Sequence, residues 1–243
     1  MDYQEVKNEQ DTVYYFNSFT YTTSLTTAGN GFNFKVGAIA RVSDWMRVGA
    51  AWHSPTIFSL TDNWSATMTG YDDQYGSFSY DSPEGIFDYS LITPGRAIFS
   101  TAFIIDKKGL LSFDYELVDY SNARLVATND LYSFNKENNN IENSYRQTFN
   151  LRAGGELRMD NWFIRGGAAF YGNPYQSALK YGKDVLSYSV GGGYRNSDFY
   201  FDLSYVLTGS QGKFSMYDES LIEPFTVKSS NHRITATIGF RFD

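Results

Sequence analysis

Arg146-Gln147-Thr148-Phe149-Asn150-Leu151-Arg152-Ala153-Gly154-Gly155-Glu156-Leu157-Arg158 changes character at every step. Its even positions read Arg, Thr, Asn, Arg, Gly, Glu, Arg; its odd positions read Gln, Phe, Leu, Ala, Gly, Leu. Successive side chains point to opposite faces only in extended backbone, so period two means a strand with one charged and one apolar face. Leu111-Ser112-Phe113-Asp114-Tyr115-Glu116-Leu117 repeats the pattern, with Leu, Phe, Tyr and Leu opposite Ser, Asp and Glu. So do Phe199 to Leu207 and His232 to Phe242, where Ile234, Ala236, Ile238, Phe240 and Phe242 oppose Arg233, Thr235, Thr237, Gly239 and Arg241.

A soluble sandwich alternates too. Two features point instead to an antiparallel transmembrane β-barrel of the outer-membrane type. The strands are long, roughly 10–15 residues against about 5–6 in globular sheets, and a transmembrane strand needs roughly 9–11. The connections also alternate in length. Tight turns fall at Ser43-Asp44, Lys107-Lys108-Gly109, Asp160-Asn161 and Asn196-Ser197-Asp198, and long loops at 70–85, 121–143, 172–184 and 209–230. Short turns on one side and long loops on the other is the outer-membrane pattern. Trp45, Trp162 and Phe199 each follow a tight turn, where a membrane-edge aromatic girdle belongs.

Pro55 and Pro94 each remove a ladder donor. Treating 45–69 and 86–106 as single long strands bent at these prolines puts every long loop on one side. The strands are then expected at 12–26, 31–42, 45–69, 86–106, 109–120, 144–158, 161–171, 185–195, 198–208 and 231–242, about ten in one barrel domain spanning 1–243. Residues 1–11 are expected as loop, and Asn138-Asn139-Asn140 as a polar loop tip. Met1-Asp2-Tyr3-Gln4-Glu5 lacks the basic and apolar regions of a secretory signal, so a signal removed earlier or an internal piece of a longer protein is expected.

Composition narrows the function. Tyr and Phe number 20 each and Gly 21, as strands and turns require. The net charge of −7 gives no electrostatic case for a nucleic-acid partner. The absence of Cys excludes a disulfide scaffold, a Cys-ligated metal and a Cys nucleophile. No apolar run reaches the length of a transmembrane helix.

Charged faces must line the barrel lumen, because nothing solvates a charge in lipid. A single lumen arginine more often belongs to an ion-pair network than to a ligand site. Arg146, Arg152 and Arg165 are the candidates for binding a ligand's anionic head group, because strands 144–158 and 161–171 carry a local excess of base. Catalysis is not expected. His53 and Ser54 are adjacent on a strand and point to opposite faces, so they are not a base–nucleophile pair. Asp114 and Glu116 share a face, but lumen solvation accounts for them. Gly166-Gly167 and Gly191-Gly192-Gly193 precede no helix, so they mark a bend or close approach rather than a phosphate loop. No cofactor and no metal is expected.

Gly31-Phe32-Asn33-Phe34-Lys35-Val36-Gly37-Ala38-Ile39 and Asp44-Trp45-Met46-Arg47-Val48-Gly49-Ala50-Ala51-Trp52-His53-Ser54-Pro55-Thr56 resemble the FadL family of outer-membrane transporters for long-chain fatty acids and hydrocarbons. Leu91-Ile92-Thr93-Pro94, Tyr145-Arg146, Phe163-Ile164-Arg165-Gly166-Gly167 and Asn173-Pro174 continue the likeness, in order, from about residue 12 to the end. The resemblance implies a 14-stranded barrel in the bacterial outer membrane, with an N-terminal plug called the hatch. This chain is expected to hold about the last ten strands, without the hatch. The resemblance further implies passive uptake of hydrophobic small molecules, with outer-membrane lipid and the apolar ligand as partners. Gly239-Phe240-Arg241-Phe242 fits the aromatic end read by the barrel-assembly machinery. The alternative is a FadL-like structural or secretion-system barrel whose loops bind a protein partner.

Overall fold

The structure, a computed structural model, describes residues 1–10, 16–106, 108–129, 132–179, 182–214 and 224–241. In chain order the strands are β1 (Asp2–Gln10), β2 (Phe16–Phe32), β3 (Lys35–Arg41), β4 (Met46–His53), β5 (Thr56–Asp72), β6 (Gly76–Asp81), β7 (Gly85–Thr93) and β8 (Arg96–Ile105). They continue with β9 (Gly109–Asp119), β10 (Arg124–Ala127), β11 (Gln147–Met159), β12 (Trp162–Tyr171), β13 (Val185–Arg195), β14 (Phe199–Phe214) and β15 (Phe225–Phe240). A single α-helix, α1 (Asn135–Ser144), is described. The fold is all-β and antiparallel, as the alternation predicts.

Contacts gather the described residues into two units. The first unit is a sheet in the order β1-β2-β5-β7-β10, with β6 added to β5. Residues Asp2–Gln10, expected as loop, form a strand in register with Ser18–Thr26 of β2. Residues 12–15 of the first expected strand lie outside the described residues. The turn expected near 27–30 is absent, because β2 runs unbroken through it to Phe32. Gly29 and Gly31 cause this. A Cβ at either would strike Ser59 O or the Phe58 ring, so their bareness lets β2 lie against β5.

The expected loop at 70–85 is a hairpin of β5 and β6. Asp72 Oδ1 accepts hydrogen bonds from Gln74 N (2.8 Å) and Tyr75 N (2.9 Å), and Gly76 closes the turn at φ 78°. The loop at 121–143 holds β10 and most of α1, so Asn138-Asn139-Asn140 is helix rather than loop tip. Asparagine is a weak helix former. Here Asn138 fastens the segment, accepting from Leu125 N (2.8 Å) and donating to Leu125 O (2.9 Å).

The second unit is a nine-stranded sheet in the order β15-β14-β13-β12-β11-β9-β8-β4-β3. Its tight turns at Asp160-Asn161 and Asn196-Ser197-Asp198 fall where the sequence places them, and Lys107 of the turn expected at Lys107-Lys108-Gly109 lies outside the described residues. Asp160 turns the chain at φ 53°, and Asn196 Oδ1 accepts from Asp198 N and Phe199 N. The single bent strands expected at 45–69 and 86–106 are each divided, into β4 and β5 at Ser54-Pro55 and into β7 and β8 at Pro94-Gly95, because proline offers no ladder donor. β14 and β15 run on to Phe214 and from Phe225, into the loop expected at 209–230, whose residues 215–223 lie outside the described ones. Phe242 is likewise outside them. The edge strand β3 is exposed along its whole length.

Candidate functional site

The register converts alternation into two real faces of the nine-stranded sheet. Leu151 sits opposite Tyr115 and Phe170, Val190 opposite Gly166 and Tyr205, and Ile234 opposite Tyr205. Extended over all nine strands, this face carries three charged residues among those described. Asp119, Lys213 and Lys228 all stand at the strand ends remote from the tight turns. The rest is apolar or uncharged and open: Phe99 is 54% exposed, Val190 57% and Ile234 74%. His232 also lies here, its Nδ1 2.7 Å from the Tyr205 hydroxyl.

Aromatic side chains gather on this face beside the tight turns. Trp45 stacks on Phe103 at 6.0 Å, and Tyr194 lies 5.0 Å from Trp162 and 5.6 Å from Phe199. The three turn-flanking aromatics singled out in the sequence therefore all have ring partners at one end of the strands.

The opposite face holds two charge clusters. In the first, Glu116 is 4% exposed and accepts from two neighbouring strands, β8 and β11. Arg152 Nη1 and Nη2 reach its Oε2 at 3.2 and 3.1 Å, Asn150 donates to Oε1 at 2.9 Å, and Arg96 stands 3.5 Å from Oε1. Burying a carboxylate is costly unless its lone pairs are occupied, and here four donors occupy them. The Tyr171 ring covers the Arg152 guanidinium at 5.5 Å.

In the second, Arg165 donates from Nε to Glu156 (2.8 Å) and from Nη1 to Asp202 (2.9 Å). Glu156 is its direct neighbour across the β11–β12 pair, but Asp202 is two strands away on β14. Arg165 reaches it because the intervening β13 presents Gly191 and Gly193 there, with no side chains in the way. A Cβ at Gly193 would strike Asp202 Oδ1, Phe201 O and the Phe163 ring. The close approach read from the glycine run is thus made, at Gly193, to an aspartate and a phenylalanine of the same sheet.

Arg146 takes no part in either cluster. It precedes β11 rather than standing on it, and it donates to Asn173 O (3.2 Å) and Ser177 Oγ (3.0 Å), fastening the segment after β12. It stands one residue before the start of β11, its carbonyl accepting from Tyr120 N in continuation of the β9–β11 pairing. Sequence reasoning overlooked Asn150, Tyr171 and Phe163. Alternation marks their side of the strand but not their partners.

Between the clusters runs a trough of about 740 Å³. Gly154, Gly167, Ala169 and Gly191 give it a low floor, Ser112 and Ser189 add hydroxyls, and Arg152 and Arg165 stand at its borders. Elsewhere, Ser54 Oγ accepts from Phe34 N at 2.8 Å, so this hydroxyl caps a strand break. Asp114 and Glu116 are no free carboxylate pair, since Glu116 is bound by its arginines.

No protein-family model matches the chain, and no curated protein matches it. Solved structures do. A Pseudomonas aeruginosa FadL homologue is 13% identical, with a TM-score of 0.48 over 97% of this chain and 75% of that one. The P. putida toluene transporter TodX is 10% identical, with a TM-score of 0.39 over 98% of this chain and 68% of that one. The family that the sequence motifs resemble is thus also named among the structural neighbours.

Proposed function

We propose that this chain is part of an outer-membrane β-barrel that admits hydrophobic small molecules by passive passage, without chemistry. The carrying observation is the two-faced nine-stranded sheet. Among the described residues its apolar face carries charge only at the strand ends remote from the tight turns and bears an aromatic row at the turn end, as a lipid-facing surface requires. Its charged face would line the lumen. The trough there has glycine, alanine and serine on its floor, which leaves room for an alkyl chain; Asp114, Glu156 and Asp202 also line it, and Arg152 and Arg165 at its borders would meet an anionic head group. A long-chain acid is therefore the ligand proposed.

The second reading is a barrel that binds a protein partner through its loops. It draws on the β5–β6 hairpin, where Tyr75 is 82% and Tyr80 72% exposed. Exposed aromatics of this kind are common at interfaces.

The native full-length protein, reconstituted in vesicles, tests the uptake reading. Entry of a long-chain acid, followed by a trapped pH-sensitive dye, is expected to exceed that of protein-free vesicles. Equal entry rates, with a partner protein retained by the native barrel but lost on deleting 73–80, would favour the second reading.

A further inference from the structure

Arg195 is the guanidinium on the charged face whose donors are left over. Its Cζ lies over two rings, 5.3 Å from the centroid of Phe163 and 5.2 Å from that of Tyr200. Its nearest carboxylate oxygen, Asp202 Oδ2, is 3.9 Å away, beyond hydrogen-bond distance. The other Asp202 oxygen already accepts from Arg165. The Arg195 Nε is buried and has no hydrogen-bond partner among the described residues. A buried N–H without an acceptor is costly, and native structures seldom leave one so.

The surroundings add positive charge. Arg158 and Arg165 stand 5.9 and 5.0 Å from the same Phe163 ring, which is itself 3% exposed. Arg158 is tied to Glu156 by one long contact of 3.5 Å. Three guanidinium groups therefore share two carboxylates, Glu156 and Asp202. Register explains the convergence. Arg158, Phe163, Gly193 and Asp202 form one row across four strands, and Arg195 and Tyr200 form the next row toward the tight turns. Gly193 leaves the space in which the Phe163 ring lies flat beneath the arginines.

We propose that Arg195, with Arg158 beside it, forms an oxyanion subsite at the tight-turn end of the charged face, just beyond the trough bordered by Arg165 and Asp202. The two rings hold the guanidinium, and with the side chain 39% exposed its terminal nitrogens are left for a planar oxyanion accepting two bonds. The ligand is the carboxylate head group of an amphipathic acid whose chain lies back along the trough. Inorganic phosphate shares the chemistry. This deepens the uptake reading and rests on it for the amphiphile, whereas binding of a free oxyanion does not.

The test titrates the native full-length protein, in a non-ionic detergent, with decanoate, methyl decanoate and inorganic phosphate. Wild type, Arg195→Ala and Arg195→Lys are compared after each is shown to be folded by its heat-dependent shift in gel mobility. Arg195→Ala is expected to weaken decanoate binding about ten- to a hundredfold and to leave methyl decanoate unchanged. Arg195→Lys should recover part of the loss, since it restores the charge but not the fork. Phosphate should compete with decanoate in wild type alone. Decanoate affinity within about twofold of wild type in folded Arg195→Ala overturns the head-group assignment. Phosphate that neither binds nor competes overturns the subsite itself. Failure of methyl decanoate to bind any variant would speak against the uptake reading, while the phosphate titration still decides the subsite.

Discussion

Arg152 turns both terminal nitrogens of its guanidinium onto a single oxygen of Glu116, crossing from β11 to β9 between residues 36 apart in sequence. The acid is almost fully buried and the base is 35% exposed. Glu116→Gln keeps the shape and removes the charge, leaving Arg152 and Arg96 without their counter-ion. The expected loss is about 1.5–3 kcal/mol, toward the lower end because water screens the exposed side of Arg152. Urea unfolding from lipid vesicles measures it. An unchanged midpoint would show that the pair is dispensable, and adding Arg152→Met to Glu116→Gln should restore part of the loss.

Ser189 and Val190 are neighbours on β13 with opposite fates. Ser189 borders the trough, and Val190 stands on the apolar face at 57% exposure. If that face meets lipid, Val190→Arg should cost about 2–4 kcal/mol near the membrane midplane, while Ser189→Arg is tolerated. Folding yields into vesicles compare the two. Equal yields would contradict the orientation of the sheet.

The two ends of β11 should lie on opposite sides of the membrane. Asn161 lies in the tight turn after it, and Asn139 in the helix before it. The chain has no cysteine, so single-cysteine variants report cleanly. In intact cells a membrane-impermeant maleimide is expected to label Asn139→Cys and spare Asn161→Cys. The reverse labelling would sink this topology.

The Tyr132 hydroxyl donates to Glu137 Oε1 at 2.8 Å, at the start of α1. This bond holds the Tyr132 phenol above its usual range and the Glu137 carboxyl below its own. The signs follow. The raised phenol contributes stability below the ordinary tyrosine range, lost as pH rises through its folded value. The lowered carboxyl contributes above the ordinary carboxylate range, lost as pH falls through its folded value. The contact should thus hold from weakly acidic to weakly alkaline pH. The difference in ultraviolet titration between wild type and Tyr132→Phe isolates this phenol. In Glu137→Gln it should titrate at lower pH; an unmoved titration would remove Glu137 as the cause.

Much of the fold was legible before any coordinates. Period two assigned Leu151 to one face and Arg152 to the other, and the register upholds both. Turn residues marked the hairpins at Asp160-Asn161 and Asn196-Ser197-Asp198, and Pro55 and Pro94 marked bends, where the structure divides the strands. These features are local, because backbone geometry sets which way a side chain points and which residues turn the chain. The elements that were missed lack that signal. α1 is rich in asparagine and stands through Asn138 bonding to Leu125, and β2 passes 27–30 because Gly29 and Gly31 clear Ser59 and Phe58.

For the candidate site, the sequence by itself determined that arginines and acids share a face. Only the tertiary structure decided which meet. Arg165 finds Asp202 across 37 residues, over a strand stripped of side chains by glycine. Arg146 bonds to Asn173 and Ser177 rather than to an acid of that face, and Arg195, which no motif distinguishes, lies over two rings with its Nε unpartnered among the described residues. The physical reason is range. Facing is a property of one strand, whereas pairing depends on the register of several, and that is settled jointly by every hydrogen bond and side chain along their edges.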